Sequence, residues 1–199
     1  ATLYSAKYDT HALYRVAEEV VGSLQQIPNS ANITIHGGQK RVLHVYLDTE
    51  RLAAYGLSPM EVAGALKISN AQAESGSFEQ GNNVITVEAG PFLQNVREAQ
   101  NLMVGIHEDR PVYLRDVAEV VDGPEEAASY TRIGFGPGEK AASDHGTYPA
   151  VTIAVAKKKG SNAVWVAREV EKRLAELRGK AIPDDVRVRI TRNYGETAN

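Results

Sequence analysis

Cysteine is absent from this chain of 199 residues, which excludes disulfides and zinc–thiolate centres. No apolar run approaches the roughly 20 residues that a membrane-spanning helix needs, and no signal peptide is visible. An excess of charge of one sign is also missing: the formal net charge is -3, so there is no broad attraction to nucleic acid or anionic lipid. Hydrophobic residues at 43% and charged residues at 24% are ordinary for a globular protein. The chain has no initiator Met, and its first residues already alternate like a strand. Both ends are therefore expected to be boundaries inside a longer protein, and the lack of membrane or targeting segments describes this piece alone.

What is present is a split repeat. The alternation over Ala1–Tyr8 predicts a strand, and Asp9-Thr10 supplies a helix N-cap. Leu13, Val16, Ala17, Val20, Val21 and Leu24 then share one helical face. Pro28-Asn29-Ser30 ends that helix, and Ala31–Ile35 reads as a strand with Ile33 and Ile35 on one side. The arrangement returns near the other end. Val151–Ala156 is a strand, Ser161-Asn162 a cap, and Val166, Ala167, Val170, Leu174 and Leu177 form a helical face. Val186, Val188 and Ile190 mark a last strand. Two such strand–helix–strand units pair into a ferredoxin-like antiparallel sheet with both helices on one face. The fold class is α+β, with a second α+β subdomain inserted between the copies.

The insert alternates over Arg41–Asp48, then has a short helix Thr49–Tyr55 stopped at Gly56. Ser58-Pro59 starts another helix bearing Met60, Val62, Ala63, Leu66 and Ile68. A hairpin turns at Gln80-Gly81-Asn82-Asn83. Strands at Leu102–Ile106 and Pro111–Leu114 follow, joined by Glu108-Asp109-Arg110. The two methionines, Met60 and Met103, are expected in the core. Gly134 to Gly146 reads as a mobile loop between two strands.

Reactive constellations are lacking. Gly134-Phe135-Gly136-Pro137-Gly138-Glu139-Lys140 has neither the Gly-Lys-Ser/Thr ending nor the helix start that a phosphate cradle requires. None of His11, His36, His44, His107 and His145 pairs with another at helical metal-ligand spacing. His36 and His44 read as ordinary sheet residues. No G-x-S-x-G elbow accompanies the serines. The adjacent acids Glu18-Glu19, Glu125-Glu126 and Asp184-Asp185 read as solvated faces or turns. Neither a catalytic residue, a cofactor nor a metal ligand is expected.

The stretch Gly37-Gly38-Gln39-Lys40-Arg41-Val42-Leu43-His44-Val45-Tyr46-Leu47-Asp48 resembles one typical of resistance-nodulation-division (RND) efflux transporters of the acriflavine-resistance type. The resemblance continues through Glu50–Val62, Ser69-Asn70-Ala71-Gln72, Arg110–Val120 and Lys159-Gly160-Ser161-Asn162-Ala163, in order across nearly the whole chain. It implies a periplasmic piece from the first half of an inner-membrane transporter: a second porter subdomain, 1–38 and 126–199, interrupted by a docking subdomain, 39–125. It implies a homotrimer that meets a periplasmic adaptor and an outer-membrane channel, driven by protons through residues outside this chain. Hydrophobic or amphipathic small molecules would be the cargo. The resemblance also places Thr34, His36, Gln39, Ser129, Thr131 and Tyr194 along the substrate pathway, His36 standing where multidrug members carry an aromatic residue. The hairpin at Gly76–Asn83 resembles a shortened form of the arm that reaches a neighbouring protomer, so the isolated piece is expected to be monomeric. A metal-exporting member of the same family and a free-standing ferredoxin-like binding module are the alternatives.

Overall fold

A computed structural model describes residues 1–69, 73–80, 83–89, 93–136 and 146–197, with the backbone alone for 73–80, 83–89 and 197. In chain order the elements are β1 (Thr2–Tyr4), α1 (Thr10–Leu24), β2 (Ser30–His36), β3 (Arg41–Leu47), α2 (Thr49–Ala54), α3 (Pro59–Ser69), β4 (Ala73–Gln80), β5 (Asn83–Ala89) and α4 (Val96–Gln100). They continue with β6 (Met103–His107), β7 (Arg110–Tyr113), α5 (Leu114–Val117), β8 (Ala118–Pro124), β9 (Arg132–Gly134), β10 (Thr147–Lys157), α6 (Ala163–Leu177), β11 (Arg187–Arg189) and α7 (Tyr194–Thr197). The chain divides into two compact units, Ala1–Arg41 with Pro124–Asn199, and Val42–Gly123.

The first unit is built on a sheet of order β11-β1-β10-β2, with β9 added against β10. Every pairing in it is antiparallel. Counting only this unit's four main strands, the order is 4-1-3-2, the ferredoxin-like arrangement that two strand–helix–strand copies generate. Helix α1 begins at Asp9, whose Oδ1 accepts from Ala12 N at 2.7 Å. Helix α6 begins at Asn162, whose Oδ1 accepts from Val164 N and Trp165 N. Each cap satisfies amide groups that the first helical turn leaves without partners. Leu13, Ala17, Val20 and Leu24 of α1 and Val166, Val170 and Leu174 of α6 pack on Leu3, Val151 and Ile153 of the sheet.

Two strands differ from the sequence expectation. The pattern over Ala1–Tyr8 predicts a long strand, yet β1 ends at Tyr4. Ser5 ends it: its Oγ donates to Asp185 O at 2.8 Å and accepts from Lys7 N and Tyr8 N, which turns the chain toward α1. Strand β10 is longer than Val151–Ala156 because its first residues, Thr147–Pro149, pair with β9. Of the loop expected over Gly134 to Gly146, Gly134 instead closes β9, and 137–145 lie outside the described residues.

The second unit holds three two-stranded pairings, β3-β8, β4-β5 and β6-β7. Its core gathers Leu52, Val62, Val104, Val112, Leu114 and Val117. Gly56, at φ +66°, lets α2 end in a left-handed residue, and Leu57 N closes the turn on Leu52 O at 2.9 Å. Met60 and Met103 correct the expectation of burial, being 80% and 53% exposed. Met60 lies in the first turn of α3, off the face that buries Val62, and Met103 precedes the irregularity in the β6-β7 register. A helical turn, α5, follows β7: Tyr113 N donates to Asp116 Oδ2 at 2.8 Å, and Leu114 and Val117 are buried. Among the described residues no helix is long and apolar enough to cross a membrane.

The start of α3 makes a testable electrostatic feature. Ser58 N and Ser58 Oγ donate to Glu61 Oε2 at 2.7 and 2.8 Å, while Glu61 N donates back to Ser58 Oγ. This reciprocal box holds the Glu61 carboxyl below its ordinary range, first through the backbone donor and then through the hydroxyl. A depressed folded value contributes stability above the unfolded pKa, and that stability is lost as pH falls through the folded value. Carbon-detected NMR titration should give Glu61 a midpoint lower than the reference carboxylate, and Ser58→Ala should raise it while leaving part of the depression. An unshifted midpoint in the parent chain would contradict the box.

Candidate functional site

The ferredoxin-like sheet has two unlike faces. Leu3, Val151, Ile153, Ile33, Ile35 and Val188 turn toward the helices and the core. Strand alternation sends their neighbours to the other face. There, His36, Thr152, Thr2 and Arg189 are register partners and form one row across all four strands. Thr34 and His36 are exposed on β2, with Thr34 Oγ1 and His36 Nε2 3.1 Å apart. Thr2 Oγ1 lies 3.0 Å from Thr152 Oγ1 and 3.3 Å from Thr191 Oγ1, a connected set of hydroxyls in the middle of the row.

At one end of this face three aromatic rings meet. Tyr4 lies 5.4 Å from Phe135 and 5.9 Å from Tyr148, centroid to centroid, in tilted arrangements. Tyr4 is also the register partner of Arg187 on β11. Tyr4, Tyr148 and Arg187 line a small pocket of about 180 Å³ with Ser5, Lys7, Asp184 and Asp185. Within it Lys7 Nζ is 2.8 Å from Asp185 Oδ1. That pairing raises the Lys7 pKa, through the hydrogen bond first and the attraction of charge second.

Thr131 belongs beside His36. It sits just ahead of β9, its carbonyl accepts from Ala150 N at 3.0 Å, and its side chain fills the space where a Cβ on Gly37 would stand. Gly37 and Gly38, at φ +78° and +81°, turn the chain sharply out of β2. Gln39 is engaged at both ends of its amide: Oε1 accepts from Thr10 Oγ1, and Nε2 donates to Glu125 O, each at 2.8 Å. Its geometry is that of a tie between the start of α1 and the segment that leads back into this unit.

Tyr194 and Ser129 lie elsewhere. Tyr194 is in α7, with the Arg192 guanidinium 4.5 Å above its ring. It lines a cleft of about 230 Å³ with Ile153, Val155, Val166, Val170 and Ile190, on the helix side of the sheet. Ser129 is exposed between β8 and β9. The structure therefore brings Thr34, His36 and Thr131 together and leaves Gln39, Ser129 and Tyr194 apart from them. Sequence reasoning passed over Tyr4, Phe135, Tyr148, Arg187 and Arg189. The alternation of β1, β10 and β11 could have found four of them, but Phe135 meets Tyr4 only through tertiary folding.

The chemistry of this face is recognition. Hydroxyls, an imidazole, guanidinium groups and aromatic rings offer hydrogen bonds, stacking and apolar area. Among the described residues no group of three or more His, Cys, Asp or Glu side chains could hold a metal ion.

A sequence model of the AcrB/AcrD/AcrF family matches residues 1–198. The chain is similar to the cation efflux system protein CusA of Escherichia coli K12, at 32% identity over 166 residues. It is similar to the putative cation efflux system protein SilA of Salmonella typhimurium, at 31% identity over 166 residues. Each alignment covers 83% of this chain and 15% of the relative, so the chain spans about 15% of the length of the curated relatives it matches.

Proposed function

The chain belongs to the AcrB/AcrD/AcrF family of RND efflux transporters, and on that premise we propose that it is a periplasmic part of such a transporter whose open sheet face touches the exported compound. Residues 1–38 and 126–199 would form the porter subdomain and 39–125 the docking subdomain. The parent would be an inner-membrane, proton-driven homotrimer that meets a periplasmic adaptor and an outer-membrane channel. This part would carry cargo past its surface without chemical conversion, and alone it would be monomeric. The observation that carries the reading is the exposed pair Thr34–His36, continuous in register with the hydroxyl row and next to Thr131.

Hydrophobic or amphipathic organic compounds are the cargo this face supports best, because its apolar contribution is aromatic. A cation cargo is the second reading, supported by the names of both relatives as cation efflux proteins. The complete gene, expressed in an efflux-deficient bacterial strain, should lower accumulation of a fluorescent amphipathic dye severalfold. A His36→Trp variant, which crowds the open face without touching the core, should raise accumulation again. Protection against a transition-metal salt with unchanged dye accumulation would favour the second reading. Dye export indifferent to His36→Trp and Thr34→Trp would remove the open face from the pathway.

A further inference from the structure

One end of the ferredoxin-like unit gathers cations and exposed rings. The connection from α1 to β2 meets the connection from β10 to α6 there, where Lys158 N donates to Asn29 O at 2.8 Å. The segment after β11 reaches the same end, since a Cβ on Gly195 would lie 3.1 Å from Val164 Cα in the first turn of α6. Neither connection contains an acid: the sequence has none over 20–47 or 145–168. Residues 137–145 enter β10 from its opposite end, at Thr147. Two carboxylates border the basic end, Glu196 in α7 and Glu171, which accepts from Asn193 Nδ2 at 2.8 Å. The cations there are Lys157, Lys158, Lys159 and Arg192, all exposed.

Two rings stand beside these cations. Trp165 is 42% exposed and lines one open hollow with Lys158, Lys159 and Asn29. Asn162 fixes its place by capping Val164 N and Trp165 N, and the helical face that buries Val166 and Val170 leaves Trp165 outward. Tyr194 is 64% exposed, lies under the Arg192 guanidinium and shares a cleft with Lys157. Ammonium groups alone would suit any polyanion, an acidic protein segment included. The rings favour a lipid surface. Amphipathic aromatics settle at the headgroup level, and lysine stems extend along apolar surface so that their ammonium groups meet phosphate.

We propose that this end of the unit rests on an anionic phospholipid surface, with Lys157, Lys158 and Lys159 meeting headgroup phosphates and Trp165 and Tyr194 entering the interface. The proposal rests on the reading of the parent as an inner-membrane transporter and adds a contact between this part and the bilayer. The chain as a whole carries a formal charge of -3, so the attraction is local to this end.

Trp165 is the only tryptophan in the chain, so its emission reports on this end alone. With an excess of vesicles made of phosphatidylglycerol and phosphatidylcholine in equal parts, at low salt, the emission should move to the blue and be quenched by brominated acyl chains. Vesicles of phosphatidylcholine alone should bind about tenfold more weakly or less, and added salt should release the chain from the anionic ones. Each lysine near such a surface strengthens binding about fivefold, so Lys158→Gln with Lys159→Gln should weaken it about 25-fold. Lys180→Gln, exposed past the far end of α6, should weaken it by less than about twofold. No shift with the anionic vesicles, equal binding to both kinds, or binding indifferent to the double variant would overturn the lipid contact. Tighter binding to soluble polyglutamate than to the anionic vesicles, at equal charge, would assign the lysines to an acidic protein segment and overturn it as well. All of these results leave the cargo surface to the dye-export test. Dye export indifferent to His36→Trp and Thr34→Trp, with vesicle binding intact, would overturn the cargo surface alone.

Discussion

Gly37→Ala is expected to destabilise the sheet-bearing unit by about 2–5 kcal/mol, through two separable costs. The first is conformational. Gly37 sits at φ +78°, where a Cβ meets its own backbone and costs about 1–2 kcal/mol. The second is steric. The new Cβ would fall 2.1 Å from Thr131 Oγ1 and 2.5 Å from Thr131 Cβ, so the segment ahead of β9 must move, at about 1–3 kcal/mol. Gly56→Ala in the second unit isolates the first cost, since Gly56 is at φ +66° with nothing within 4 Å of the added atom. Urea denaturation should therefore show Gly37→Ala to be the more damaging by about 1–3 kcal/mol. Adding Thr131→Gly to Gly37→Ala should return the steric part and leave the conformational part. Equal costs for the two alanine variants would contradict the close packing of Thr131 on the turn that follows His36.

Ile153→Ala should cost about 2–5 kcal/mol, because Ile153 is fully buried on the central strand β10 and surrounding side chains cannot all collapse into the space it leaves. Its register partner on β2 is Ile35, and two residues back along β10 Val151 lies opposite Leu3 on β1. The cavity would thus lie beneath the strands that carry Thr34, His36 and Thr2. Ala154, the next residue, faces the exposed side, and Ala154→Ser should change stability by less than about 0.5 kcal/mol. Urea midpoints and amide exchange on β2 and β10 measure both. A small effect of Ile153→Ala, or a large one of Ala154→Ser, would invert the assignment of faces on which the candidate site depends.

The ferredoxin-like unit was legible because its signals are long and periodic. Helices α1 and α6 are each 15 residues with a capping side chain in front, and Ile33, Ile35, Val151 and Ile153 announce the buried side of the sheet. Shorter features escaped for a physical reason. Four residues of α5 cannot display a 3.6-residue period, and the end of β1 is set in part by a hydrogen bond from Ser5 to a residue 180 positions away. Methionine was misjudged for a related reason: apolar character alone does not say which way a residue in a short helix or an irregular strand points, and Met60 and Met103 point outward. In the candidate site, Thr34, His36 and Gln39 came from the family resemblance; the alternation of Ile33 and Ile35 says only that Thr34 points the other way, and nothing in the sequence reveals that both ends of the Gln39 amide are occupied. The aromatic trio spans β1, the residues after β9 and the start of β10, so only the folded chain assembles it.

On the proposed function, one face of this sheet meets cargo outside the cytoplasm. Since the chain contains no cysteine, single replacements can be labelled without background from it. The decisive measurement is labelling of the complete transporter, free of other cysteines, in intact cells with a membrane-impermeant maleimide. His36→Cys on the open face should react, and an exported compound should slow that reaction severalfold. Arg168→Cys, exposed on α6 at the opposite side of the sheet, should react equally with and without the compound. Failure of His36→Cys to react in intact cells, or equal protection at both positions, would contradict the claim.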